Sequence, residues 1–448
     1  MSKLIKNQVI KIECQDLTYE GLGVNREFNK PIFIYDFFPG EIADVLVTDV
    51  LSKFAFGKVI KLHKSSDNRK DQRYECIYSA HLINYKYDAQ VEFKNNYFKN
   101  LLNRNLITDL NELDSIYHDL YKSPKELNYR NKCTYPLNII DNKIQATEII
   151  TGTHKTIKTD SFVQNQEVLN ETLNKILDIM NETFKDYVID LKGNKIDNFN
   201  ASIVLRCNNK NLISAQLISK CPDFLSQELI KEILEIKSIA NFEYIPFNHK
   251  YPFKTKYNKE KFLMSLNQKD FCIDINGFFQ INNDVADHIF NLMKNKVNEL
   301  QPKHIIDAYC GAGAISQIVG NPDTKINGFD ISPESIFTAR VNAKNNNVKG
   351  EYIVGDANRF IQKLNKNNLD FSKSLLILDP PRAGIEKEMI NFIKTNNPKN
   401  IIYMSCDART LIRDIKEIND LYELEYIQGF DMFPNTHHFE VLSFLKLK

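Results

Sequence analysis

The apolar run Ile401-Ile-Tyr-Met404 leads into Ser405-Cys406-Asp407, so a strand delivers a single thiol to a chain turn. A cysteine presented there suits a covalent nucleophile, and the start of a helix behind it would favour the thiolate. Packing in the core is the commoner fate of a lone cysteine and is the competing reading. Further on, Pro434-Asn-Thr-His-His438-Phe-Glu440 stands just before a last apolar strand, Val441–Leu447. A loop there would bring Glu440 into the same cleft as a base, with His438 as a second proton carrier or a contact to substrate. Four earlier strand ends carry polar groups in order, in Asp307-Ala-Tyr309-Cys-Gly311-Ala-Gly313, Gly328-Phe-Asp330, Gly355-Asp356 and Asp379-Pro-Pro-Arg382. The paired glycines let backbone approach a ligand at a strand-to-helix turn. They lack the third glycine of a dinucleotide fingerprint, and no G-x-x-x-x-G-K-S is present, so S-adenosylmethionine is favoured over NAD or ATP. Asp330 is placed to accept from ribose hydroxyls and Asp356 to lie near the adenine. Acids at strand ends also serve as turn formers and caps, and it is the ordered series that argues for a cofactor.

The elements that hold these residues alternate from about Asp284 onward. Apolar strands at Ile305–Tyr309, Ile326–Ile331, Tyr352–Val354, Leu375–Leu378 and Ile401–Met404 are separated by helical segments, the pattern of a doubly wound, Rossmann-like α/β sheet. Glu423–Gln428 and Val441–Leu447 would close it as an antiparallel edge pair. Residues 1–63 read as five short strands with Gly and Pro punctuation, a small β-barrel. Residues 64–283 form a central α+β domain, with a helix over about 89–105 packing on the catalytic domain and another carrying Leu169, Leu173, Ile176 and Ile179 at helical spacing. Within it Gly277-Phe-Phe279-Gln280-Ile-Asn282 offers Gln280 and Asn282 to a base edge or to the methionine end of a cofactor, and Phe279 to substrate. The lysine and aromatic mixture Tyr251–Lys261 suits single-stranded RNA and equally a solvated loop. Lys61, Lys64, Arg69, Lys70 and Arg73 form a basic stretch that is either a solvated linker or an RNA-facing edge.

A chain of 448 residues calls for two or three domains, and a formal net charge of +1 leaves any nucleic-acid surface a local feature. No signal-peptide pattern and no run of about 20 apolar residues occurs, so a cytoplasmic protein without membrane segments is expected. The 8 cysteines include no C-x-x-C pair, which argues against a zinc ribbon or disulfide framework. No metal site and no obligate protein partner are expected.

Taken in order, F-F-Q-x-N, D-x-Y-C-G-x-G, D-P-P-R-x-G, S-C-D and H-x-E, with Tyr129-Arg-Asn-Lys132 upstream, resemble the RNA (uracil-5-)-methyltransferase family. The Asp-Pro-Pro segment is also similar to the loop of amino-methyltransferases, but Arg382 replaces their aromatic. The resemblance implies a TRAM or OB-like RNA-binding barrel at the N-terminus and S-adenosylmethionine bound through Gln280, Tyr309, Gly311, Gly313, Asp330, Asp356 and Asp379. It implies that Cys406 adds to C6 of a uracil and that Glu440 removes the C5 proton, yielding 5-methyluridine. Asp379 would border the uracil, and Arg382 would support the enolate or place a phosphate. The barrel tilts the expected substrate toward 23S ribosomal RNA, with the T-loop of transfer RNA as the alternative and a noncatalytic RNA-binding protein as the contrasting class. Some relatives hold an iron–sulfur cluster on C-x5-C-x2-C; Tyr74-Glu-Cys76-Ile-Tyr-Ser-Ala-His81 has one cysteine, so no cluster is expected. Asp407 departs from the Asn common after the nucleophile.

Overall fold

The computed structural model describes residues 3–75, 78–150, 155–158, 162–184, 201–219, 225–246, 255–366 and 369–448. Cys76, Cys221 and Tyr251–Lys254, which figure in the expectations above, lie outside them. Packing groups the chain into two units, one of Met1–Tyr97, Glu148–Phe162 and Phe433–His438, the other of Phe98–Thr147, Val163–Met432 and Phe439–Lys448.

In the first unit, strict alternation along Ile42–Val50 turns Ala43, Val45 and Val47 inward, as a half-buried strand requires. Six strands pair in the order Val9–Glu13, Ile42–Val50, Ala55–Lys64, Ile32–Ile34, Gly23–Asn25, Asp16–Leu17. Ile12, Ile32, Ile34, Phe37 and Ala55 complete the core. The sequence reading lacked Asp16–Leu17, whose two residues are too few to show a period. Arg69, expected on a linker or an RNA edge, is instead internal. Its Nε and Nη2 donate to the two oxygens of buried Glu41 at 2.6 and 2.8 Å, Nη1 donates to Asp36 Oδ1 at 2.9 Å, and the guanidinium lies 4.5 Å from the Phe38 ring centre.

Among the described residues the second unit contains a two-stranded sheet, Met264–Leu266 with Lys269–Phe271, and two larger sheets. In the central one the order is Lys143–Ile149, Lys132–Ile140, Ala201–Cys207, Ile213–Ser219, Ile239–Pro246, Thr255–Asn258. The helix Glu167–Thr183 buries Leu169, Leu173, Ile176 and Met180. Met180 takes the place expected of Ile179, because 3.6 residues per turn carries the stripe one position on.

The other sheet has eight strands, ordered Gly350–Val354, Lys325–Asp330, His304–Ala308, Ser374–Leu378, Asn400–Ser405, Glu440–Leu447, Tyr422–Phe430, Tyr117–Tyr121. The first five are parallel, and their order reverses between His304–Ala308 and Ser374–Leu378, the place where doubly wound sheets bind ligands. Glu440–Leu447 runs antiparallel to Asn400–Ser405 and to Tyr422–Phe430. That pair is not the edge: Tyr117–Tyr121 adds to Tyr422–Phe430 in parallel. From the helix Tyr87–Asn105, Phe98 sets its ring centre 5.8 Å from that of Tyr117 and 5.4 Å from that of Phe439.

Candidate active site

The register carries the geometry of the site. Ser405 pairs with Val441 across antiparallel strands, so Cys406, one residue beyond Ser405, and Glu440, one before Val441, occupy the next position of the same ladder. Glu440 is therefore the first residue of its strand and not a loop residue. On the other side Leu378 pairs with Tyr403 and with Ala308, which brings Asp379 and Tyr309 to the carboxyl edge beside the thiol.

The turn at Cys406 is fixed on both flanks. Asp407 N donates to Ser405 Oγ at 3.2 Å, and Ser405 Oγ donates in turn to the Asp407 carbonyl at 3.1 Å. Asp407 Oδ1 accepts from Arg409 N at 2.9 Å and caps the helix Ala408–Lys416, the role Asn also fills at N-caps. The loop carrying Arg382 is tied to this helix: Asp414 Oδ2 accepts from Tyr403 Oη at 2.7 Å and from Ile385 N at 2.9 Å, and Arg413 Nη2 donates to the Ala383 carbonyl at 2.8 Å. Gly384 has φ +81°, and a Cβ there would collide with Arg413 and Asp414.

Cys406, Asp379, Arg382 and Glu440 form one electrostatic group. The Cys406 thiol is pushed up to about 11, first by burial, then by Glu440, with Arg382 opposing and Asp379 adding. The helix start was expected to favour thiolate, but desolvation outweighs it. Glu440, 4 % exposed, is raised to about 7 by burial against the pull of Arg382. Asp379 is held well above the usual carboxylate range by burial, then by Glu440 and Asp307. Two carboxyls that share one pocket do not both ionise easily.

The glycine turn lies next to this group. Tyr309, Gly311 and Gly313 all have left-handed φ, at 63°, 52° and 75°. Open space surrounds the Cβ position of Gly311, whereas at Gly313 a Cβ would press on Gln317. Asp330 Oδ2 accepts from Gly311 N at 3.0 Å and Oδ1 from Ser332 N at 2.8 Å, so Asp330 shapes the turn and keeps lone pairs for a ligand hydroxyl. Next to it Ile331 is 78 % exposed, an apolar surface at the cleft's lip. Asp307 is wholly buried and raised to about 7 chiefly by burial. An open glycine cradle with the Asp330 carboxylate beside it suits a nucleoside such as that of S-adenosylmethionine.

Other expected residues lie as follows. Gln280 is buried, and its carbonyl accepts from Asn131 Nδ2 at 2.8 Å. Asn282 caps the helix Asn283–Leu300 and is buried, so it is structural. Phe279 is buried with its ring centre 6.0 Å from that of Phe271, while its neighbour Phe278 is 70 % exposed. Asp356 is exposed and accepts from Arg359 N at 2.9 Å, as a helix cap does. His438, in the first unit, lies 3.9 Å from the His437 ring centre. Lys256 pairs with Glu243 at 3.1 Å, and Lys259 donates to the Ile236 carbonyl at 3.3 Å. Among the described residues no group of three or more His, Cys, Asp or Glu is placed to hold a metal, and no helix is long and apolar enough to cross a membrane. Ser405, Tyr403 and Asp414 were missed by the sequence reading; S-C-D-x-x-x-x-x-R-D gave no signal beyond an ordinary amphipathic helix.

Comparison with known proteins covers nearly the whole chain. The family model described as tRNA (Uracil-5-)-methyltransferase matches residues 86–448. A Lactobacillus johnsonii protein named "Uncharacterized RNA methyltransferase" is 29% identical over 458 residues, covering 98% of this chain and 99% of that one. An Enterococcus faecalis protein of the same name is 28% identical, covering 98% and 97%. Among solved structures, the Pyrococcus abyssi tRNA (uracil-54, C5)-methyltransferase in complex with S-adenosyl-L-homocysteine superposes with a TM-score of 0.74 at 23% identity, covering 97% of this chain and 99% of that one.

Proposed function

Because the chain belongs to the tRNA (uracil-5-)-methyltransferase family, we propose that this RNA methyltransferase transfers a methyl group to C5 of a uridine through a covalent bond from Cys406 to C6. The observation that carries the reading is the register whose last rung, Ser405 with Val441, is flanked by Cys406 and Glu440, the two electrostatically coupled to each other and to Arg382. Cys406 first gives up its proton to solvent; attack of the thiolate Sγ on C6 then breaks the C5–C6 π bond and sends its electrons toward O4, which makes C5 nucleophilic. Arg382, the one cation of the group, offsets the enolate charge. After C5 is methylated, Glu440 takes the C5 proton, and the electrons of that bond expel the thiolate and restore the double bond. S-adenosylmethionine would be held by Gln280, Tyr309, Gly311, Gly313, Asp330, Asp356 and Asp379, and when bound would supply an electrophilic methyl group. We keep the functional division of residues 1–63 as a TRAM or OB-like barrel, 64–283 as an RNA-presenting region and 284–448 as the catalytic region.

On substrate, 23S ribosomal RNA rested on the N-terminal strands. A likeness that spans 97% of this chain joins those strands to a transfer-RNA enzyme as well, so they do not favour ribosomal RNA, and the T-loop uridine of transfer RNA becomes the stronger reading. The test is incubation with 5-fluorouridine-substituted transcripts of both RNAs, which lack the abstractable C5 proton. A denaturation-resistant adduct that vanishes with Cys406→Ala is expected. No adduct with either RNA, and methylation unaffected by Cys406→Ala, would leave a noncatalytic binder or an amino-methyltransferase.

A further inference from the structure

In the central sheet, Ala201–Cys207 runs antiparallel to Lys132–Ile140, and the register sets Arg206 directly opposite Lys132. Like charges facing one another across a ladder are destabilising. The burial is unequal, with Arg206 at 0% exposure and Lys132 half-buried. Arg206 Nη2 donates to the Gly277 carbonyl at 2.5 Å, while its Nε and Nη1 are buried with no hydrogen-bond partner among the described residues. A buried donor left unpaired is costly, and more so on a charged group. Burial draws Arg206 down to about 10 against the pull of Asp274, and draws Lys132 down to about 8, with Arg206 adding to the fall and Asp274 again opposing. Among the described residues these two cations have one opposing carboxylate, exposed Asp274, so positive charge is in excess beneath a low-dielectric surface. Its field emerges where Lys132 meets solvent.

The pair lies beside the segment that carries Gln280, a proposed cofactor ligand. Asn131 N donates to the Ile281 carbonyl at 3.0 Å and Asn131 Nδ2 to the Gln280 carbonyl at 2.8 Å, which laces the segment before helix Asn283–Leu300 to the strand start that carries Lys132. Gly277, whose carbonyl Arg206 holds, is followed by Phe278 at 70 % exposure, so the loop above the pair faces solvent. We infer that Lys132, backed by the field of buried Arg206, is a subsite for a phosphodiester of the RNA substrate, holding the backbone beside the Gly277–Gln280 loop. Lys132 makes the contact, and Arg206 acts through it as a positioning charge. The subsite rests on the RNA-methylating reading. An oxyanion is the chemistry recognised, and the carboxylate of S-adenosylmethionine shares it; the polymer is favoured because the loop opens outward.

The experiment uses the full chain carrying Lys132→Gln, with RNA binding measured as a function of salt alongside steady-state methylation. Loss of one phosphate contact lowers the slope of log K against log salt by about 0.7 to 0.9. The effect in turnover should fall on KM for RNA, with a rise of roughly tenfold, as expected when binding is lost equally from ground and transition states. Arg206→Met should also weaken RNA binding while its thermal midpoint holds or rises, since an unpaired buried charge is removed; a purely structural Arg206 would lower the midpoint and leave RNA affinity alone. An unchanged salt slope and KM for RNA in Lys132→Gln overturns the subsite, as does a rise confined to KM for S-adenosylmethionine. The 5-fluorouridine adduct of the unsubstituted chain keeps the two readings apart: RNA binding sensitive to Lys132 without any adduct retains the subsite and removes the chemistry.

Discussion

At neutral pH Cys406 rests as a thiol and Glu440 near its midpoint, because the burial that isolates the site from water disfavours charge on both. Base catalysis by Glu440 needs the carboxylate, so methylation should rise with pH through about 7. Stability follows the opposite sign. The folded value, about 7, lies above the ordinary 4.5, so between them the folded chain binds more protons and loses stability as pH rises, by roughly 3 kcal/mol once pH exceeds 7. Glu440→Gln should therefore raise the thermal midpoint at pH 8, leave it nearly unchanged at pH 4, and cut turnover by 100-fold or more while an adduct accumulates. A midpoint that shifts equally at both pH values would remove the assignment of a neutral carboxyl. These two residues were legible in the sequence because each stands at a strand end. Their protonation was not, because burial depends on neighbours far along the chain.

Between the nucleophile strand and the Arg382 loop stands the short helix Ala408–Lys416, and Asp414 is the joint. Its carboxylate meets Tyr403 on the strand, Ile385 on the loop and Arg413 on the helix itself. Asp414→Ala would leave buried donors unpaired and should cost about 2 to 4 kcal/mol in urea unfolding. Because the loop would then swing free, adduct formation should slow more than RNA binding weakens. Equal stability in the variant would show the joint to be idle. The alternation of strands and helices made this region readable as a doubly wound sheet, but the joint was not readable. It depends on Arg413 and Asp414 meeting Gly384, whose left-handed turn has no local signature apart from the glycine itself.

For the whole molecule, the strand Tyr117–Tyr121 matters most. The sequence reading ended the catalytic sheet with the antiparallel pair, since five residues after the short helix Leu110–Ile116 carry no clear period. In the structure that segment covers the sheet's edge from far upstream. A fragment of residues 284–448 would expose the Tyr422–Phe430 edge, so it should aggregate on expression, whereas one beginning at residue 86 should remain soluble in size-exclusion chromatography. A soluble, monodisperse 284–448 fragment would show that the strand is dispensable.

The rung shared by Ser405 and Val441 also sets an order of events during synthesis. Cys406 leaves the ribosome before its partner, and the strand Tyr422–Phe430 must be made before Glu440 appears. On the proposed mechanism, a chain arrested between the two would carry the thiol without the carboxylate that releases a captured uracil. The burial and the Glu440 neighbour that raise the thiol are complete only once the last strand has docked.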